Sequence, residues 1–165
     1  MTRKKLSWIL AAIAVLCMAA IYSFSSQNGA ATNEVSKSFI AGILSNIYQG
    51  FDNLDLGTQN GIIWGFNLFV RKCAHFSLYC TMSFMIYLFV YLRKDRHIQA
   101  LGASLLIGGA FAALDELHQK FVPGRTPLVK DVFVDIAGCL VGAVICFMII
   151  SSVCMIVQRL RNRKQ

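Results

Sequence analysis

Charged residues are scarce in this sequence, and acidic residues are the scarcest of them. Eight Asp and Glu stand against sixteen Lys and Arg, and only 15% of all residues are charged, while 56% are hydrophobic. With a mean hydropathy of +0.58, the chain is too apolar for an ordinary soluble domain, in which roughly 45–50% of residues are apolar. The composition predicts a single integral membrane domain over residues 1–165.

Paired cysteine motifs and nucleic-acid-binding motifs are also lacking. The six cysteines lie in apolar runs without Cys-x-x-Cys spacing, which excludes a disulfide framework or a zinc ribbon and favours small buried hydrophobic side chains. The net charge of +8 does not indicate a nucleic-acid partner, because no such motif accompanies it. The basic residues stand beside apolar runs, as membrane topology requires.

Four apolar runs are long enough to cross a bilayer. The first, 6–24, has nineteen residues without a charge, which at a rise of about 1.5 Å per residue covers a hydrocarbon core of about 30 Å. The others are about 73–92, 98–118 and 132–157. The pattern predicts an all-α membrane protein built as a bundle of four transmembrane helices.

The first run has a second interpretation, as a cleavable signal peptide. Arg3, Lys4 and Lys5 would form its basic n-region. The cleavage site would have to be the Ser-Phe-Ser-Ser sequence at 23–26, however, and this sequence lacks the Ala-x-Ala pattern of a cleavage site. We therefore favour a membrane span.

The region between the first two spans is expected to lie at the membrane interface. After a polar linker at 25–37, residues 39–48 place their apolar side chains on one stripe of a helix too short to span. A turn-rich patch follows at 50–61. We interpret 62–70 as a further interfacial segment anchored by Trp64, because joining it to the second span would give a helix of about thirty residues.

The basic residues divide unequally between the two ends of the predicted bundle, with ten at one end and six at the other. Cytoplasmic loops carry the excess of Lys and Arg, so the end with ten is predicted to be cytoplasmic, together with both termini. Seven of the eight acidic residues, all but Asp95, then fall on or near the outer side. The ten are Arg3, Lys4, Lys5, Arg93, Lys94, Arg96, Arg159, Arg161, Arg163 and Lys164.

The densest polar stretch lies between the third and fourth spans. Charged groups there cost several kcal/mol unless they are paired or hydrated, so the stretch is a candidate site. Asp115, His118 and Gln119 share one helix face at i, i+3 and i+4, and Asp115 could equally make a structural bond between helices. Glu116 points about 100° away and could pair with Lys120 at i+4.

The fourth span begins with two carboxylates on one face. Asp131 and Asp135 are four residues apart and repel each other, so a cation is required. Arg125 follows a Pro-Gly turn that returns it over the pocket, where it would clamp an anionic ligand or bridge one of these carboxylates. The glycines of Gly138-x-x-x-Gly142 suit a close helix contact. The candidate cations are Arg71, Lys72, Arg125, a protonated His75 and a metal ion.

The second span carries the complementary half of the site. Arg71, His75 and Tyr79 follow at i, i+4 and i+8 and lie along one face, with Lys72 on its flank. The pattern predicts a basic and aromatic stripe. The alternatives are that the two basic residues extend to lipid headgroups and that His75 is a packing residue.

These residues support two functional hypotheses. In the first, the pocket binds an anionic ligand through Arg71, Lys72, Tyr79, Gln119, Arg125, Asp131 and Asp135. In the second, His75, Asp115 and Glu116 are the acid and base groups of an enzyme, and Arg125 stabilises charge on a phosphate. The cluster contains metal-binding residue types but no His-Glu-x-x-His motif, so no metal ligand is assigned and a divalent metal stays an alternative.

Four motifs in this order resemble the VanZ-like family of bacterial membrane proteins. They are YSFSSQ at 22–27, RKCAHF at 71–76 followed by Tyr79, DELHQKFVPGR at 115–125, and DVFVDIAG at 131–138. The stretch 28–70 carries no family motif.

The resemblance implies a small protein of the bacterial cytoplasmic membrane. The founding member of the VanZ-like family confers resistance to the glycopeptide teicoplanin. We therefore expect membrane lipids as partners and an anionic envelope lipid or glycopeptide as ligand. A membrane-embedded hydrolase or transferase acting on a lipid-linked phosphate is the alternative.

Overall fold

The structure, a computed structural model, describes residues 2–27, 29–125 and 127–163, and for 29–36 it describes the backbone. These residues form no strand. Four of the helices, all except the second, are long and apolar enough to cross a membrane, which confirms the predicted all-α fold with four membrane spans. The helices are α1 (Arg3–Ser25), α2 (Gly29–Ile47), α3 (Leu56–Lys94), α4 (His97–Gln119) and α5 (Val129–Asn162), with a 3₁₀ turn at Phe51–Asn53.

Successive spanning helices run in opposite directions. Trp8 near the start of α1 contacts Phe89 near the end of α3, with ring centroids 6.4 Å apart, and the Arg93 guanidinium lies 5.1 Å from the Trp8 ring centroid. At the other end of the bundle, Lys72 of α3 reaches Asp131 at the start of α5. The ends of α1 and α4 therefore meet the start of α5 and the middle of α3.

Glycines allow α5 to approach α3 closely. A Cβ on Gly138 would lie 2.7 Å from the carbonyl oxygen of Phe76, and a Cβ on Gly142 would overlap the carbonyl oxygen of Cys80. Any larger side chain at these two positions would force the helices apart. The structure thus confirms that the Gly138-x-x-x-Gly142 spacing marks a close helix contact.

The cysteines are free thiols, as their spacing predicts, but they are not all buried. Three are buried in the helix interfaces, one is partly buried, and two are exposed on the outer faces of α3 and α5. The prediction of buried cysteines is wrong for those two, because an apolar run in a small bundle also supplies the lipid-facing surface. The buried cysteines are Cys17, Cys139 and Cys146, the partly buried one is Cys80, and the exposed ones are Cys73 and Cys154.

The predicted break between 62–70 and the second span is wrong. Helix α3 continues without interruption for 39 residues, which corresponds to a length of about 58 Å at 1.5 Å per residue. The length argument excludes a helix that lies wholly within the bilayer, but not one that continues past it. Asp55 caps the start of α3 by accepting a hydrogen bond from the backbone N–H of Thr58 at 2.9 Å, and its hydrogen bonds with Thr58 lower the pKa of the Asp55 carboxyl.

The region before α3 is also more helical than predicted. Helix α2 begins at Gly29, so most of the expected linker at 25–37 is helical, and the turn-rich patch ends where α3 begins. Ile40 of α2, Phe51 of the 3₁₀ turn and Ile63 of α3 form a buried apolar cluster. This cluster holds α2 against the first turns of α3.

Candidate functional site

A pocket of about 400 Å³ opens where the C-terminal end of α4 and the start of α5 meet the middle of α3. Its volume lies within the roughly 300–1,000 Å³ of typical ligand sites. The lining includes three basic side chains, three acidic side chains and an imidazole. These are Arg71, Lys72 and Arg125, then Glu116, Asp131 and Asp135, and finally His75.

The structure brings the ten predicted site residues together. Eight of them line the pocket, namely those seven and Gln119. The other two, Asp115 and Tyr79, lie beneath the lining and are buried, with 4% and 0% of their surface exposed. The rings of Tyr79 and His75 lie 6.4 Å apart on one face of α3, as their spacing predicts.

Two of the acidic side chains have partners at the pocket wall. The Lys72 Nζ lies 2.5 Å from the Asp131 Oδ1, so Lys72 is the cation that Asp131 requires. The Glu116 carboxylate accepts a hydrogen bond from the backbone N–H of Leu128. Glu116 and Lys120, both described, form no ion pair, so that predicted pair is wrong.

Arg125 connects the α4–α5 loop to the end of α1. Its Nη2 donates to the carbonyl oxygen of Phe24 at 2.7 Å, and its Nε donates to that of Gln27 at 3.3 Å. Carbonyls at a helix C-terminus lack partners within the helix, which explains their attraction for a guanidinium. The alternative in which Arg125 bridges Asp131 or Asp135 is therefore wrong.

Arg71 and Arg125 place two positive charges at the same pocket. Burial and then the positive charge of Arg71 lower the pKa of the Arg125 guanidinium, although nearby carboxylates oppose the shift. In the described part of the chain, Arg71 makes no hydrogen bond or ion pair. An anion in the pocket would relieve the repulsion between the two guanidinium groups.

One side chain from each of three helices meets at the inner end of the pocket, where His75 and Asp135 line it and Asp115 lies directly beneath. His75 of α3, Asp115 of α4 and Asp135 of α5 each offer a ligand atom, and these three atoms lie within 4.8 Å of one another. All three residues are buried. We call them the floor cluster.

The sequence matches the family described as VanZ/LLP1 over residues 9–151. The chain belongs to the VanZ/LLP1 family. The matched range contains all four motifs that carry the resemblance. No curated protein and no solved structure matches the chain.

The first of these VanZ/LLP1-like motifs, at 22–27, supplies a site residue that the sequence analysis missed. Ser25 is fully buried, and its hydroxyl donates to the Asp115 Oδ2 at 2.8 Å. The Gln119 side-chain amide donates to the same oxygen at 3.0 Å and to the Ser25 hydroxyl at 3.2 Å. The sequence signal for this contact is a serine that directly follows an apolar span.

Other contacts of this VanZ/LLP1 chain were also beyond the sequence analysis. His118 stacks on Tyr22 of α1, with ring centroids 4.6 Å apart. Its Nε2 lies 3.0 Å from the Ser26 hydroxyl. Three residues of 62–70 also line the pocket because α3 is continuous. They are Trp64, Asn67 and Leu68.

Replacing Ser25 with alanine is expected to lower the free energy of unfolding by about 1–3 kcal/mol, because a buried carboxylate loses one of its two donors. Thermal unfolding of the purified protein in detergent measures the change. Ser23→Ala is the matched control, since among the described residues the Ser23 hydroxyl bonds only the carbonyl of Ala19 in its own helix. Equal midpoints for the two variants would show that Ser25 does not support Asp115.

Proposed function

We propose that this VanZ/LLP1 protein binds an anionic component of the bacterial envelope in its pocket, at the outer face of the cytoplasmic membrane. The component is the headgroup of a phospholipid or lipid-linked intermediate, or a glycopeptide. Through this binding the protein contributes to resistance against teicoplanin-type glycopeptides or to envelope homeostasis. The guanidinium of Arg71, which has no hydrogen bond or ion pair with any described residue, is the observation that carries the proposal.

The distribution of basic residues supports an outward-facing pocket. The helix directions put nine of the ten residues assigned to the cytoplasmic end on the opposite end of the bundle from the pocket. Lys164, the tenth, lies outside the described residues. By the positive-inside rule, both termini are expected to lie in the cytoplasm and the pocket is expected to open at the outer leaflet.

The pairing within the pocket supports an anionic ligand. Lys72 is neutralised by Asp131, and Glu116 is held by the backbone of Leu128. Arg71 is left with a charge and a set of donors at a half-buried position. Guanidinium donors match the oxygens of a phosphate or carboxylate in a two-point contact, so such a group would satisfy Arg71.

The pocket rim supports a ligand that is reached from the membrane. Trp64 lines the pocket and yet is 58% exposed. Tryptophan is enriched where the apolar core of a bilayer meets the headgroups. A lipid whose chains stay in the bilayer could therefore place its headgroup beside Arg71.

Arg71→Ala is expected to weaken binding at least about tenfold, because a hydrogen bond to a charged group contributes about 1.5–3 kcal/mol. Binding of short-chain phosphatidylglycerol and of teicoplanin to the purified protein in detergent measures this. Lys130→Ala is the matched control, since Lys130 is exposed near the pocket but does not line it. Binding of both probes by Arg71→Ala as tightly as by the control would contradict the proposal.

The floor cluster favours a second candidate function, a membrane-embedded hydrolase or transferase for a lipid-linked phosphate. His75 and Asp115 would be its acid and base groups, since they lie together, with His75 in the pocket lining and Asp115 beneath it. Glu116 is less suited, because its carboxylate is held by Leu128. Release of phosphate from a lipid-linked diphosphate that His75→Ala abolishes would establish this function in place of simple binding.

A further inference from the structure

The floor cluster brings two carboxyl groups together without an ion-paired cation among the described residues. Asp115 and Asp135 offer oxygen atoms within 4.8 Å of each other, away from bulk water. Lys72 pairs with Asp131 and Arg125 with the carbonyls at the end of α1. Arg71 lines the same pocket, but among the described residues it forms no ion pair with either carboxylate. Two ionised carboxylates this close in a buried site require a counter-charge or a proton.

The cluster also contains a buried polar atom without a partner among the described residues. The Asp115 Oδ1 is buried and has no hydrogen bond, while both donors from Ser25 and Gln119 go to the Oδ2. Beside it, neither ring nitrogen of His75 forms a hydrogen bond with any residue that the structure describes. Buried polar atoms normally have partners, so the Asp115 Oδ1 indicates a ligand, which the His75 ring could share.

We infer that the floor cluster binds one divalent transition-metal ion, with His75, Asp115 and Asp135 as its protein ligands. Small side-chain rotations would place each of the three ligand atoms at the distance from a common ion that zinc requires, roughly 2.0–2.2 Å. One imidazole and two carboxylates suit Zn²⁺ or Mn²⁺ better than Mg²⁺, which prefers oxygen ligands alone.

The surroundings of the cluster match those of known metal sites. Ser25 and Gln119 orient Asp115 through its second oxygen, as outer hydrogen bonds do for metal-bound carboxylates. Three protein ligands leave a coordination position for water or a ligand oxygen, and the pocket reaches His75 and Asp135 from one side. The two positive charges of the ion would neutralise the two carboxylates, which would otherwise repel the anion that is proposed to bind at Arg71.

Metal content tests this inference without any lipid, so its failure and the failure of anion binding are distinguishable. The full chain, purified in detergent and stripped with a chelator, is dialysed against Zn²⁺ or Mn²⁺ and analysed by inductively coupled plasma mass spectrometry. We expect about one ion per chain. Retention of no more metal than by a detergent blank would overturn the inference.

Two ligand variants and two matched controls locate the ion. His75→Gln and Asp135→Asn are expected to weaken Mn²⁺ binding more than about tenfold, since even outer-shell partners contribute that much. His118→Gln and Asp52→Asn change the same residue types outside the cluster and outside the pocket lining, and both variants are expected to bind the ion as the unaltered chain does. Equal binding by all four variants would overturn the assignment.

A spectroscopic measurement on the unaltered chain covers the case in which a ligand variant does not fold. Pulsed electron paramagnetic resonance of the Mn²⁺-loaded protein is expected to show coupling to a single histidine nitrogen. The absence of nitrogen coupling would show that His75 is not a ligand and would overturn the inference.

Discussion

Gly142→Ala is expected to lower the free energy of unfolding by about 1–3 kcal/mol, the usual cost of forcing an extra methyl group into a packed interior. The new Cβ would overlap the carbonyl oxygen of Cys80, which belongs to the backbone of α3. A backbone carbonyl cannot rotate away as a side chain does. The two helices would have to separate, and Asp135 would move away from His75.

Gly102→Ala is the matched control for that change, because a Cβ on Gly102 meets no atom within 4 Å. Alanine is favoured over glycine inside a helix by up to about 1 kcal/mol, so this variant is expected to be as stable as the unaltered chain or more stable. Thermal unfolding in detergent, followed by circular dichroism, compares the two. A shift in the same direction for both would mean that the α3–α5 contact is not tight at Gly142.

Lys72→Glu is expected to destabilise the protein and to prevent anion binding. The change replaces an attraction at 2.5 Å with a repulsion from Asp131, close to Asp135 and Glu116. Breaking a fully buried pair costs about 3–5 kcal/mol, but the side chains of Lys72 and Asp131 are 43% and 29% exposed. Screening by water and ions reduces the expected loss to about 1–3 kcal/mol.

Exchanging the two charges tests whether the loss comes from this pair. The double variant Lys72→Glu with Asp131→Lys is expected to recover a part of the stability, because the attraction is restored in reverse. Lys120→Glu, an exposed charge reversal near the same end of the bundle, is expected to leave the unfolding midpoint unchanged. A double variant as unstable as the sum of its two single changes would show that Lys72 and Asp131 do not interact.

The length of the apolar runs was sufficient to predict the four membrane spans. It was not sufficient to predict the continuous α3, because a bilayer limits only the part of a helix that lies within it. The first turns of α3 are fixed by a contact with Ile40 and Phe51. That packing depends on where the chain returns in space, which residue spacing does not reveal.

The half of the site on α3 could be predicted because helical spacing places Arg71, His75 and Tyr79 on one face. The partners from other helices could not. Ser25 and Asp115 are 90 residues apart in the chain, and their contact depends on the order of the helices in the bundle. For Arg125, the expected partners were an anionic ligand or the carboxylates of Asp131 and Asp135, and the carbonyls at the end of α1 were not among them.

Because α3 is continuous, the residues that it contributes to the rim and to the floor of the pocket lie on one uninterrupted helix. Trp64 stands at the rim and His75, eleven residues later, at the floor, with no flexible joint between them. If a ligand displaced Trp64, the continuous backbone between the two residues would carry part of that displacement to His75 and change its distance from Asp135 on α5. We therefore expect occupancy of the pocket mouth to alter the geometry of the floor cluster.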